Sequence, residues 1–158
     1  MPAASATLLA ACLMLASKTY NVPPAVMVGI MQIEGGRVGQ EVGNTNGSYD
    51  LGPMQINTIW LPMLAGHWNV DQNTARRWVR DNGCINMHVS AWILRQQLEK
   101  TNGHVYNAIA RYHSGTPSLG GPYAEKVVSA MRKKGLIDYG GNAGGSKLPI
   151  KPEQIARR

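Results

Sequence analysis

Apolar residues recur at three- and four-residue spacing along almost the whole chain, and no segment sustains the two-residue alternation of a half-buried strand. The pattern predicts helices over 5–20, 24–34, from about Pro53 onward, 73–81, 83–100, 104–114 and 119–135. The segment 83–100 is the most regular: Ile85, Val89, Trp92, Ile93 and Leu98 share one face. Asn21-Val22-Pro23-Pro24 interrupts the chain before the second helix, which turns Val26, Ile30 and Ile33 to one side. Gly35-Gly36 ends that helix, because glycine takes the left-handed cap conformation without penalty. The helix from Pro53 carries Ile56, Ile59 and Trp60 inward, and Thr101-Asn102-Gly103 stops the long one. Between them, residues 37–52 lose the helical period and form a loop or a small irregular hairpin, with Asn46-Gly47 as its tight turn. Residues 139–158 are rich in Gly, Pro and Lys and poor in apolar side chains, which predicts a mobile basic tail after a domain spanning 1–138. The fold class expected is all-α: a small helical domain with one long loop.

Composition narrows this reading. A chain of 158 residues, 44% hydrophobic, is large enough to bury one core. Phenylalanine is absent, so Leu, Ile, Val, eight Met and four Trp must fill it. The net charge of +7 favours an anionic partner such as nucleic acid, an acidic lipid surface or a cell-wall polymer, or else serves solubility alone. The cations fall in separate groups (Arg76, Arg77 and Arg80; Arg132, Lys133 and Lys134; the tail), and no recognition-helix arrangement follows the first group. Nucleic acid is set aside on that ground. His67, His88, His104 and His113 are scattered and make no metal-ligand motif, so no metal is expected. Cys12 and Cys84 are either two buried thiols or one disulfide. The stretch Ala6–Ala16 has the apolar character of a signal peptide but no basic residue before it, and it is too short to span a membrane. It reads mainly as a buried first helix, with a trimmed export signal as the alternative.

The chemistry concentrates in IEGGRVGQEVGNTNGSYDLGPMQIN, residues 33–57, which holds three acids: Glu34, Glu41 and Asp50. Glu34 closes an apolar helix. The negative end of the helix dipole and apolar surroundings both raise a carboxyl pKa there, so the group can stay protonated near neutral pH and donate a proton. Asp50 is either a second cleft carboxylate or a turn aspartate bonding backbone amides. Glu41, inside the glycine-rich loop, is expected at the solvated surface.

The order IMQIEGG, NGSYDLGPMQIN, NAIARYHSG resembles the lysozyme-like lytic transglycosylases of the soluble-lytic-transglycosylase family, related to goose-type lysozyme. The family pattern is Glu-Ser at a helix end, then Gly-Leu-Met-Gln-Ile, then Ala-Tyr-Asn-x-Gly. Here these places hold Glu34-Gly35, Gly52-Pro53-Met54-Gln55-Ile56 and Ala110-Arg111-Tyr112-His113-Ser114-Gly115. CINMHVSAWIL at 84–94 resembles the long helix of the subset associated with type III and type IV secretion, conjugation and pilus systems. Gly35, Pro53 and His113 depart from the family's Ser, Leu and Asn.

The resemblance implies a lysozyme-like fold of the α+β superfamily. It also implies cleavage of the β-1,4 bond between N-acetylmuramic acid and N-acetylglucosamine in peptidoglycan, with a 1,6-anhydro product and no cofactor. Glu34 would be acid and then base. Gln55 would bind the glycan, and Gly52, Met54, Tyr112 and His113 belong to the same substrate-binding set. For Met54 and Tyr112 plain core packing is an equal alternative. The subset pairs a first-helix cysteine with one opening the long helix, which implies a Cys12–Cys84 disulfide and a periplasmic protein. It further implies a monomer acting on glycan strands beside a secretion, conjugation or pilus apparatus. Two other functions compete: a lysozyme-type hydrolase of the same bond, and a peptidoglycan-binding assembly factor with weak activity.

Overall fold

The computed structural model describes residues 6–137. The expected tail, 139–158, lies outside them. The helices are α1 Ala6–Tyr20, α2 Pro24–Glu34, α3 Leu61–Trp68, α4 Gln72–Asp81, α5 Gly83–Lys100, α6 Val105–His113 and α7 Pro117–Lys133. A small antiparallel sheet lies between α2 and α3, in the order β1 Glu41–Gly43, β2 Tyr49–Leu51, β3 Ile56–Asn57. The loop-or-hairpin segment is therefore a hairpin, paired Glu41 with Leu51 and Gly43 with Tyr49 around the Asn46-Gly47 turn.

The core is built around α2, whose residues Ala25 to Met31 are all buried. Leu13, Ile30, Met87, Leu94, Ile109 and Met131 meet there from five helices with almost no exposure. Gly29 is the point of closest approach. A Cβ on it would lie 2.7 Å from Met131 Cγ and 2.9 Å from Val127 Cγ1, so α2 and α7 pack together only because that position is bare. A Cys12–Cys84 disulfide ties α1 to the start of α5.

The segment after Pro53 corrects the expected third helix. Gly52–Gln55 form a turn, Ile56-Asn57 join the sheet, and Thr58–Trp60 make a single 3-10 turn before α3 starts at Leu61. Gln55 has φ +51°, which a helix cannot contain, and Asn57 caps the 3-10 turn by accepting from Ile59 N at 2.9 Å. Ile56 is buried as expected, but Ile59 is 76% exposed.

Asn86 of α5 fixes this region to the helical body. Its buried amide accepts from Met54 N at 2.8 Å and donates to Leu51 O and Val79 O, both at 2.9 Å. One side chain thereby joins the end of β2, the following turn and α4. Glu41 is not the solvated acid expected of a loop: it accepts from Arg76 Nε at 2.8 Å and Arg80 Nη1 at 3.1 Å, pinning β1 to α4. The two guanidinium groups hold its carboxyl below the usual range. The Arg76 guanidinium also stacks over the Tyr49 ring at 4.8 Å.

Candidate active site

Glu34 is the last residue of α2, and Gly35 makes the sharp exit possible. Gly35 has φ +61° and donates its N–H to Met31 O at 3.0 Å, a left-handed cap. The next glycine is required for a different reason. A Cβ on Gly36 would overlap the Gly52 carbonyl, so the helix exit lies directly against the turn that follows β2. These two contacts place the Glu34 carboxyl opposite the sheet, in a cleft of about 620 Å³.

Burial pushes Glu34 up to about pKa 7. A hydrogen bond from Tyr123 opposes the shift, and the charge of Asp50 adds to it. The group is thus divided between acid and carboxylate near neutral pH, where a general acid works best. Tyr123 of α7 donates its hydroxyl to Glu34 Oε1 at 2.8 Å. The His113 ring stacks on the Tyr123 ring with centroids 4.5 Å apart and planes 9° from parallel. Tyr123 is itself buried, and burial with the neighbouring Glu34 charge drives its hydroxyl pKa far up, so it remains a donor.

Tyr112 borders the same cleft, but its hydroxyl pairs with Ser90 Oγ at 2.7 Å and not with Glu34. The tyrosine that touches the acid is Tyr123, outside the three compared motifs. Its signal in the sequence was modest: Tyr123, Ala124, Val127, Val128 and Met131 form a buried stripe on α7.

Asp50 lines the cleft from β2. It is not a turn residue bonding backbone amides; it accepts from the Asn57 side chain at 3.0 Å across the β2–β3 pair. Gln55 also faces the cleft, with its amide donating to Gly52 O at 2.9 Å. Met54 is wholly buried and Gly52 is buried beneath the turn, so neither forms the cleft wall. Met54 is held in the core through its backbone bond to Asn86. The rest of the wall is mixed and includes Asn44, Asn46 and Ser48 from the hairpin, Ile59 and Trp60 from the 3-10 turn, and Arg111 from α6.

The model of the transglycosylase SLT domain matches residues 11–128, which includes every residue of the cleft just described. The chain belongs to the transglycosylase SLT domain family. Curated relatives include "Invasion protein IagB" of Salmonella typhimurium strain SL1344, 29% identical over 131 residues that cover 79% of this chain and 78% of the relative. "Invasion protein IagB" of Salmonella typhi is 29% identical over 127 residues, 77% of this chain and 76% of the relative. SLT domains are lytic transglycosylases acting on peptidoglycan, so this chain is a peptidoglycan lytic transglycosylase with a lysozyme-like fold. Its work lies at the cell wall, and among the described residues no helix is long and apolar enough to cross a membrane.

Proposed function

We propose that this transglycosylase cleaves the bond between N-acetylmuramic acid and N-acetylglucosamine using Glu34 alone as acid and base. The observation that carries the reading is the Glu34 carboxyl, half-protonated at neutral pH inside the cleft and steadied by Tyr123. Glu34 gives its proton to the glycosidic oxygen as the bond from that oxygen to C1 of muramic acid breaks. The resulting carboxylate takes the proton from the C6 hydroxyl of the same sugar as O6 bonds to C1, closing the 1,6-anhydro ring. No water is consumed. Gln55, Tyr112 and His113 border the path of the strand and position it, and Tyr123 orients the acid.

Asp50 favours a second reading. It lies in the same cleft, and its charge reaches Glu34. A second carboxylate beside a cationic sugar is the arrangement of a retaining hydrolase. Digestion of purified peptidoglycan with mass analysis separates the two. Anhydro-muropeptides that disappear in Glu34→Gln are expected; reducing-end products would replace the transglycosylase reading with hydrolysis, and no turnover at all would leave an assembly factor that binds without cutting.

The enzyme acts as a monomer in the periplasm, opening the wall locally for a secretion, conjugation or pilus machine. Support for the location comes from the disulfide, which persists in oxidising surroundings, and support for the role from relatives named for invasion.

A further inference from the structure

The direction in which the cleft acid points rests on one hydrogen bond. Among the described residues, Tyr123 is the side chain that donates to Glu34, at 2.8 Å. Three titratable groups from separate elements bear on that carboxyl: Tyr123 from α7, Asp50 from β2 and Tyr112 from α6. Asp50 acts through its charge, and the Tyr112 hydroxyl is committed to Ser90, so the orienting contact is left to Tyr123. A tyrosine can leave such a bond by turning about its side-chain torsions, so the phenol must itself be held.

The α6–α7 contact supplies the holder. A Cβ on Gly120 would lie 2.6 Å from Ala110 O, so the two helices meet backbone to backbone. At that crossing the ring of His113, the last residue of α6, lies flat on Tyr123, with centroids 4.5 Å apart and planes 9° from parallel. Ordinary core packing does not account for the pair. Tyr123 is 7% exposed, whereas His113 is an exposed residue of the cleft wall. A histidine that stays in water gains little from burial; the partner that gains is the tyrosine, one face of which is covered and fixed. The asparagine of the family pattern has no ring and could not stack in this way.

We propose that His113 is a positioning residue for the acid: its ring, laid on Tyr123, holds the phenol in the orientation that donates to Glu34. It acts through Tyr123 and needs no contact with the sugar to do so. The proposal rests on the reading of Glu34 as the general acid and deepens it. A phenol free to turn would let the carboxyl swing away from the glycosidic oxygen, which costs turnover more than it costs binding.

The test compares His113→Asn, polar but without a ring, with His113→Phe, which keeps a flat ring and loses both nitrogens. Tyr123→Phe, alone and combined with His113→Asn, completes the set. Because His113 is exposed, the fold is expected to survive its replacement, and thermal melts check this. The first readout needs no turnover: carbon-detected NMR titration of the Glu34 carboxyl in the full chain, assigned by the signal missing in Glu34→Gln. The Tyr123 bond holds that pKa down, so losing it moves the titration to higher pH. The upward move is expected in His113→Asn and in Tyr123→Phe, with nothing further in the double variant and recovery in His113→Phe. The second readout is digestion of purified glycan strands. In His113→Asn, kcat is expected to fall about tenfold with KM little changed, and His113→Phe recovers most of the loss.

A titration that moves to lower pH in His113→Asn would make the ring a shield against water, not a holder of the phenol, and would overturn the proposal. So would a titration that does not move, a loss that His113→Phe shares in full, or effects that add in the double variant. A rise in KM with kcat unchanged would assign His113 to the strand alone. Turnover that survives Glu34→Gln would sink the acid reading itself, and with it the role given to His113.

Discussion

In the unfolded chain Glu34 titrates near its ordinary value of 4.5, and in the fold near 7. The folded state therefore holds its proton more tightly, and stability falls as pH rises from the lower value to the upper one. The shift corresponds to about 3 kcal/mol, present in full below the lower value and lost above the upper. Glu34→Gln removes the titration while keeping an acceptor for Tyr123. The variant is expected to be more stable than its parent at about pH 8, with the advantage vanishing at about pH 4. Paired thermal melts at the two pH values measure this; an equal shift at both would contradict it. Activity of the parent declines above neutrality for the same reason, as the acid is lost. The upward pKa shift of Glu34 was legible from an apolar helix ending in Glu-Gly-Gly, whereas its choice as the acid rested on the resemblance carried by the surrounding motifs. Tyr123 was not, because its role depends on α7 crossing α2 at the bare position Gly29, a contact between residues far apart in the chain.

At the level of elements, α5 was fully legible: its apolar face repeats over eighteen residues, and its bounds are Gly83 and Lys100. The stretch Ile56, Ile59, Trp60 shows how the same rule misleads over a short span. Three residues at helical spacing look like a turn of helix, yet the chain there is strand followed by 3-10 turn. What decides the matter is Asn86, thirty-odd positions away, whose amide satisfies backbone groups on three elements. Asn86→Ala strands those buried groups, and a loss of about 2–4 kcal/mol in chemical denaturation is expected, since several partners are left unmade at once. Turnover should fall as well, because the turn carrying Gln55 is held by that amide. A loss under about 0.5 kcal/mol would mean the turn is held by Glu41 and the arginines instead.

For the molecule as a whole, the disulfide spans 72 residues of chain from α1 to α5 and encloses the hairpin and most of the cleft lining. Closing a loop of that length restricts the unfolded chain enough to stabilise the fold by about 4 kcal/mol. Reduction, or Cys12→Ser with Cys84→Ser, is expected to lower unfolding stability by about that amount, read from denaturant midpoints at constant slope. An unchanged midpoint would show that α1 docks through packing alone. Six of the seven helices among the described residues were legible from periodicity, α3 being the exception. The position of the cleft, set by an amide and two glycines, was not.

The bond also orders events in time. Without it the fold is at its easiest to unravel; once the bond has closed, the same chain becomes costly to reopen, so the cleft is most firmly assembled in oxidising surroundings.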